Sequence, residues 1–157
     1  MGIERPGAMD SLEIFYKIAK DNTPPNVRVY YMESSESCGS VTYATREMIV
    51  PRPESLENLR TYLHECAHLL LHQDDDTIPH YLREFQAETW ALEKIQAGGL
   101  TLSDEFVLQS KVRIANHIRG AFRNGARLLD KDAFQFALPC FRDYELSGFD
   151  GTRVNPD

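Results

Sequence analysis

Apolar residues recur at helical spacing at Leu12, Phe15, Tyr16 and Ala19, directly behind a capping-box start at Asp10 and Glu13. Asn22-Thr23-Pro24-Pro25 ends that helix, because proline cannot continue it. β-branched and aromatic residues then crowd Val27–Met32, and two more short runs, Val41–Tyr43 and Met48–Val50, flank a polar turn. This opening third predicts one helix and a small antiparallel sheet, closed by Pro51 and Pro53.

Beyond Ser55 the pattern becomes helical. Ser55 can cap a helix reaching about His72, with Leu56, Leu59, Leu63, Leu70 and Cys66 or Ala67 giving it apolar surface. Asp74-Asp75-Asp76 and Pro79 make a polar connection. A second helix runs from about His80 to Ala97 and stops at Gly98-Gly99. Ser103 opens a third, lasting to about Asn124-Gly125, and Asp130 caps a short fourth through Ala137. Met1–Met9 reads as a flexible leader, in which Gly7-Ala8-Met9 has the look of a cloning scar, and residues 139–157 read as a loop-like tail. Residues 10–138 are then one domain, with no repeat and no low-complexity segment.

Composition narrows the class. The chain has 157 residues, 42% hydrophobic and 26% charged, which suits a globular domain with one core. No apolar run approaches the ~20 residues of a membrane span, and no secretory signal is visible, so a cytoplasmic protein with no membrane partner is expected. A formal net charge of -7 argues against a chain that coats nucleic-acid backbones. Cys38, Cys66 and Cys140 are odd in number and widely spaced, which fits neither a disulfide framework nor a cysteine zinc site.

The chemistry concentrates in His64-Glu65-Cys66-Ala67-His68. Two histidines four residues apart share one helix face, so both imidazoles can reach one metal ion. A catalytic Zn²⁺ takes three protein ligands and keeps a position open for water. Glu65 projects about 100° round the helix from His64, which sets its carboxylate beside such a water rather than on the metal. Zinc lowers the water pKa to about 7, and Glu65 can take the proton as general base. The plain alternative is an amphipathic surface helix carrying two solvated histidines. Leu69-Leu70-Leu71, directly after His68, argues against it.

The third ligand does not follow at metzincin spacing. The next candidates are Glu84 and Glu88, four apart on the following helix, of which one can bind the metal while the other accepts a hydrogen bond from a ligand histidine. The plain alternative here is a solvated acidic stripe. An H-E-x-x-H helix followed by Glu84-Phe85-Gln86-Ala87-Glu88-Thr89-Trp90-Ala91 resembles the gluzincin pattern of the ImmA/IrrE-type metallopeptidases, over roughly residues 27–97. From Lys111 through Ala137 the chain resembles, more diffusely, small phage- and plasmid-associated members of that group.

The resemblance implies an α+β fold: a small antiparallel sheet with a mainly helical zincin-like domain centred on the motif helix. It also implies His64, His68 and Glu84 as zinc ligands, Glu65 as base, Glu88 in support, and a protein or peptide substrate. The contrasting expectation is a non-catalytic, zinc-stabilised binding module for a protein or nucleic acid.

The remaining residues have plainer readings. His72 continues the histidine face but would strain a tetrahedral site as a further ligand, so packing or a hydrogen bond near the helix end is expected. Asp74–Asp76 reads as a solvated loop, which outweighs a third ligand from one of these aspartates. Cys66 and Trp90 read as core. His80, Tyr81, Tyr43 and Tyr62 are each able to stabilise an oxyanion. Arg113, Arg119, Arg123 and Arg127 read as a solvated basic face in preference to a docking surface.

Overall fold

The computed structural model describes residues 10–33 and 37–155; the expected leader at 1–9 lies outside them. The chain forms an α+β structure of two compact units. One comprises the chain up to Asp74 together with Trp90–Thr101, and the other comprises Asp75–Thr89 with Leu102 onward. No helix among the described residues is long and apolar enough to cross a membrane.

In the first unit, α1 (Ser11–Asn22) starts where Asp10 Oδ1 accepts from Glu13 N–H at 2.8 Å. Three strands follow: β1 (Arg28–Tyr31), β2 (Ser40–Thr42) and β3 (Glu47–Val50). Their spatial order is β1-β3-β2. The β2–β3 hairpin is antiparallel, with Arg46 in the left-handed region at φ 52° closing its turn. β1 pairs with β3 in parallel, so the sheet is mixed and not antiparallel as expected. β1 and β2 thus lie on opposite edges of β3. Such a placement leaves no mark in local alternation. Met48 and Val50 turn inward from β3, and Ile49 faces out.

Helix α2 (Leu56–Ala67) begins at Ser55, whose Oγ accepts from Asn58 N–H at 3.1 Å. Such a cap contributes about 1 kcal/mol. Leu59, Leu63, Cys66 and Ala67 are fully buried along it. The helix continues as one π-helical turn, His68–His72, and ends with Gln73 and Asp74 at positive φ. Leu69 is buried there, whereas Leu70 and Leu71 are each 45% exposed, so of the three leucines taken to argue against a surface helix only Leu69 is in the core.

Helix α3 (His80–Ala97) is continuous and lends its two halves to the two units. Ala91, Leu92 and Ile95 are buried on its second half. Trp90, expected in the core, is only half-buried, with Lys94 Nζ 5.4 Å above its ring. Gly99 ends the helix at φ 96°, a conformation that glycine adopts freely.

The second unit is built on α4 (Asp104–Arg123), capped by Ser103, and α5 (Lys131–Ala137), capped by Asp130. Its core includes Ile114, Ala115, Ile118, Leu129, Phe141 and Phe149. The expected loop-like tail is in fact structured. A 3₁₀ turn at Leu138–Cys140, α6 (Asp143–Gly148) and a second 3₁₀ turn lead to a strand at Arg153–Asn155. That strand, β5, pairs in parallel with β4 (Leu128–Asp130). Phe141 and Phe149 are the reason: burying two phenylalanines outweighs the weak helical pattern of so short a segment.

Candidate metal centre

His64 lies in the last turn of α2 and His68 opens the π-helical turn, so the two imidazoles stack one turn apart. Their Nε2 atoms are 3.1 Å apart, with the rings edge-to-face at 4.8 Å between centroids. His68 is buried and His64 half-buried. Glu84, on the first half of α3, is half-buried. His64, His68 and Glu84 each offer one ligand atom, and these atoms all lie within 4.8 Å of one another. Two imidazole nitrogens and a carboxylate oxygen form a donor set able to hold a divalent cation. Nitrogens 3.1 Å apart can both lie about 2.0–2.1 Å from one ion.

Glu65 is buried on α2, next in sequence to His64. Gly39, at the entrance to β2, approaches it closely. A Cβ built on Gly39 would stand 2.9 Å from Glu65 Cγ and 3.0 Å from the Ile49 carbonyl oxygen. The sequence reading missed this residue. Its one signal was an isolated glycine next to a strand, which often marks close approach of another group.

Glu88 is 1% exposed, and its Oε1 accepts from Ser110 Oγ at 2.7 Å and from Arg113 Nη1 at 3.3 Å, both on α4. His72 is equally buried, and its Nδ1 lies 2.9 Å from His68 Nδ1. No family model, curated protein or solved structure matches this chain. The site therefore rests on its own geometry.

Other sequence candidates have structural work. Tyr62 Oη is 2.6 Å from Thr23 Oγ1, and burial pushes the phenol up to about 12. Tyr81 Oη accepts from Asp130 N–H at 2.7 Å. His80 Nε2 is 3.9 Å from Glu84 Oε1, and Tyr43 is half-buried. Cys66 is fully buried, its Sγ donating to Met48 Sδ at 3.9 Å, and burial pushes its thiol up to about 12. All three cysteines are free thiols.

Of the four arginines expected on a solvated basic face, Arg123 and Arg127 are exposed, whereas Arg113 and Arg119 are half-buried. Arg113 pairs with Glu88, and Arg119 forms two hydrogen bonds with the Glu145 carboxylate. Arg127 donates to the carbonyls of Phe122 and Ala126.

Proposed function

We propose that this chain is a zinc-dependent peptidase in which His64, His68 and Glu84 hold the metal and Glu65 is the general base. The convergence of two imidazoles and one carboxylate within 4.8 Å carries the reading. Glu65, buried beside His64, supports catalysis over a purely structural role, because a structural site takes four ligands and needs no base. The order of the motifs, which resembles that of the ImmA/IrrE-type gluzincins, supports the same reading and a zincin-like arrangement around α2.

When bound, zinc supplies Lewis acidity toward a carbonyl oxygen and lowers the pKa of water. The protein's residues do the rest. The Glu65 carboxylate takes a proton from the water that attacks the scissile carbonyl carbon. As the C–N bond breaks, Glu65 passes that proton to the departing amine nitrogen. Burial shields this carboxylate from bulk water, which strengthens its interaction with the proton it carries. Glu88 supports Glu84 from one helical turn away by tying α3 to Ser110 and Arg113.

The test pairs metal content with cleavage. Wild-type protein should hold about one zinc per chain, and a His64→Ala/His68→Ala double variant should hold none. Glu65→Gln should fold, bind zinc as wild type does, and lose about 10²–10⁴-fold in cleavage of a protein partner encoded nearby. Stoichiometric zinc in the double variant would place the metal elsewhere. Equal cleavage by wild type and Glu65→Gln would remove Glu65 from the mechanism. Partner binding by both without cleavage by either would make the chain a zinc-stabilised binding module.

A further inference from the structure

His72 is a second, internal feature of the histidine row that metal ligation leaves unexplained. It is 1% exposed, and burying an imidazole is costly unless its nitrogens are engaged. Its Nδ1 lies 2.9 Å from His68 Nδ1, and the two rings sit 5.0 Å apart at a tilt of 48°. His68 is thus engaged at both nitrogens: Nδ1 faces His72, and Nε2 faces His64 at 3.1 Å.

The backbone produces this contact. In a straight α-helix each four-residue step drifts about 40° round the axis, so a third histidine would rotate away from the first. The turn from His68 to His72 is π-helical, with Gln73 N–H donating to the His68 carbonyl five residues back. A wider turn rotates less per residue and brings His72 back beneath His68. π-Turns inside α-helices recur at functional sites.

Two imidazole nitrogens at this distance share one proton, so one donates and the other accepts. The choice decides what His68 can do. If His68 carries its proton on Nδ1, its Nε2 keeps the lone pair that a metal would take. If His72 donates instead, His68 carries its proton on Nε2 and cannot bind there. We propose that His72 is a positioning residue that accepts from His68 Nδ1–H and so fixes the ring and the metal-competent tautomer of His68. The proposal rests on the metal reading above for its purpose, but its structural core concerns the metal-free protein. Metal-bound histidines commonly need such a partner on the other nitrogen, most often a carboxylate or a carbonyl. Here a neutral imidazole fills the position.

The experiment uses the full-length protein, wild type and two variants. His72→Asn keeps an acceptor near the place of Nδ1; His72→Leu removes it and keeps an apolar side chain of similar bulk. Long-range ¹H–¹⁵N spectra of the metal-free protein at about pH 8, where imidazoles are neutral, read the His68 tautomer. Zinc affinity is read by chelator competition. The expected result is an Nδ1–H tautomer for His68 in wild type and His72→Asn, and mixed tautomers in His72→Leu. Zinc affinity should fall about 10–100-fold in His72→Leu and be largely restored in His72→Asn.

An Nε2–H tautomer in the wild-type protein overturns the proposal, as does wild-type zinc affinity in His72→Leu. Loss of zinc in both variants as complete as in His64→Ala would make His72 a ligand and overturn it as well. If wild type binds no zinc, the metal reading fails, while the His68 tautomer still decides the role of His72. If His72→Leu does not fold, the wild-type and His72→Asn spectra decide it.

Discussion

The two units of this chain fill their interiors in opposite ways. In the first, one helix and its π-helical turn bury Arg60, Thr61, Glu65, His68 and His72. In the second, the buried polar side chains among the described residues are Glu88 and Ser110, bonded to each other, and the centre is a nest of rings. Phe149 alone meets Phe122, Phe134 and Phe141 with centroids 4.9, 6.1 and 5.0 Å away. Apolar burial is the dominant stabilising term, and each buried polar group costs free energy unless it is well paired. The second unit is what a core built for stability looks like. The first accepts a cost along α2, and that cost falls on His68, which belongs to the candidate metal cluster, and on polar residues near it in sequence.

The contrast is broken or sharpened most strongly at the ring nest. Phe149→Ala should destabilise the protein by about 3–5 kcal/mol, since it removes a buried ring and leaves a cavity among its neighbours. Glu65→Gln, by contrast, should leave stability unchanged or slightly raised, as substitutions at strained functional sites often do. Urea unfolding of the two variants beside wild type measures both. A loss in Glu65→Gln as large as that in Phe149→Ala would mean that the polar row of α2 is structural, and the contrast would collapse.

The next effect is on function rather than stability. Gly39→Ala sets a methyl group 2.9 Å from Glu65 Cγ and 3.0 Å from the Ile49 carbonyl, so the glutamate must move. A displacement of about 1 Å at a catalytic group can cost 10²-fold in rate. The expected outcome is about a 10²-fold loss of cleavage with zinc content unchanged, read in the same paired assay as Glu65→Gln. Full activity in Gly39→Ala would show that the position of Glu65 is not controlled from the sheet.

What could be read from the sequence follows the same division between local and distant effects. The caps at Asp10, Ser55, Ser103 and Asp130 are each a short polar side chain three residues before its bonded N–H, and all four were legible. So was the His64–His68 pair, because helical spacing makes the two neighbours; spacing left Glu84 and Glu88 open as the third member, and the resemblance to the gluzincin pattern implied Glu84. The parallel pairing of β1 with β3 was not legible, since register between strands separated by another strand is set by packing. Leu70 and Leu71 misled: periodicity assumes α-helical geometry, and the π-helical turn rotates them toward solvent. The tail hid for a different reason. Phe141 and Phe149 lie too far apart to show a helical or strand period, yet both are buried in the ring nest.

The smallest effect lies at the edge of that nest and depends on pH. Arg119 Nε and Nη2 donate to the two carboxylate oxygens of Glu145 at 2.7 and 3.0 Å, and Glu145 Oε2 also accepts from Arg142 N–H at 2.7 Å. These bonds, led by those from Arg119, pull the Glu145 carboxyl down from its ordinary 4.5 to about 2. A carboxyl lowered in the folded state contributes stability that is present above the unfolded pKa and is lost as pH falls through the folded one. The contribution of Glu145 should therefore be intact above about pH 4.5 and fade toward about pH 2.

Glu145→Gln should be less stable than wild type at neutral pH, with the gap narrowing through that window until the two unfold alike. The effect should be small, because ion pairs near solvent are screened by water and salt, and it should shrink further at high ionic strength. Arg119 also donates to the Cys140 carbonyl and lies 5.1 Å over the Phe141 ring, so the substitution leaves it anchored. Thermal unfolding of both proteins at about pH 7, 4 and 2.5 makes the comparison. A gap that stays constant across this range would mean that packing against the rings holds α6, and that the Arg119–Glu145 charge pair contributes nothing of its own.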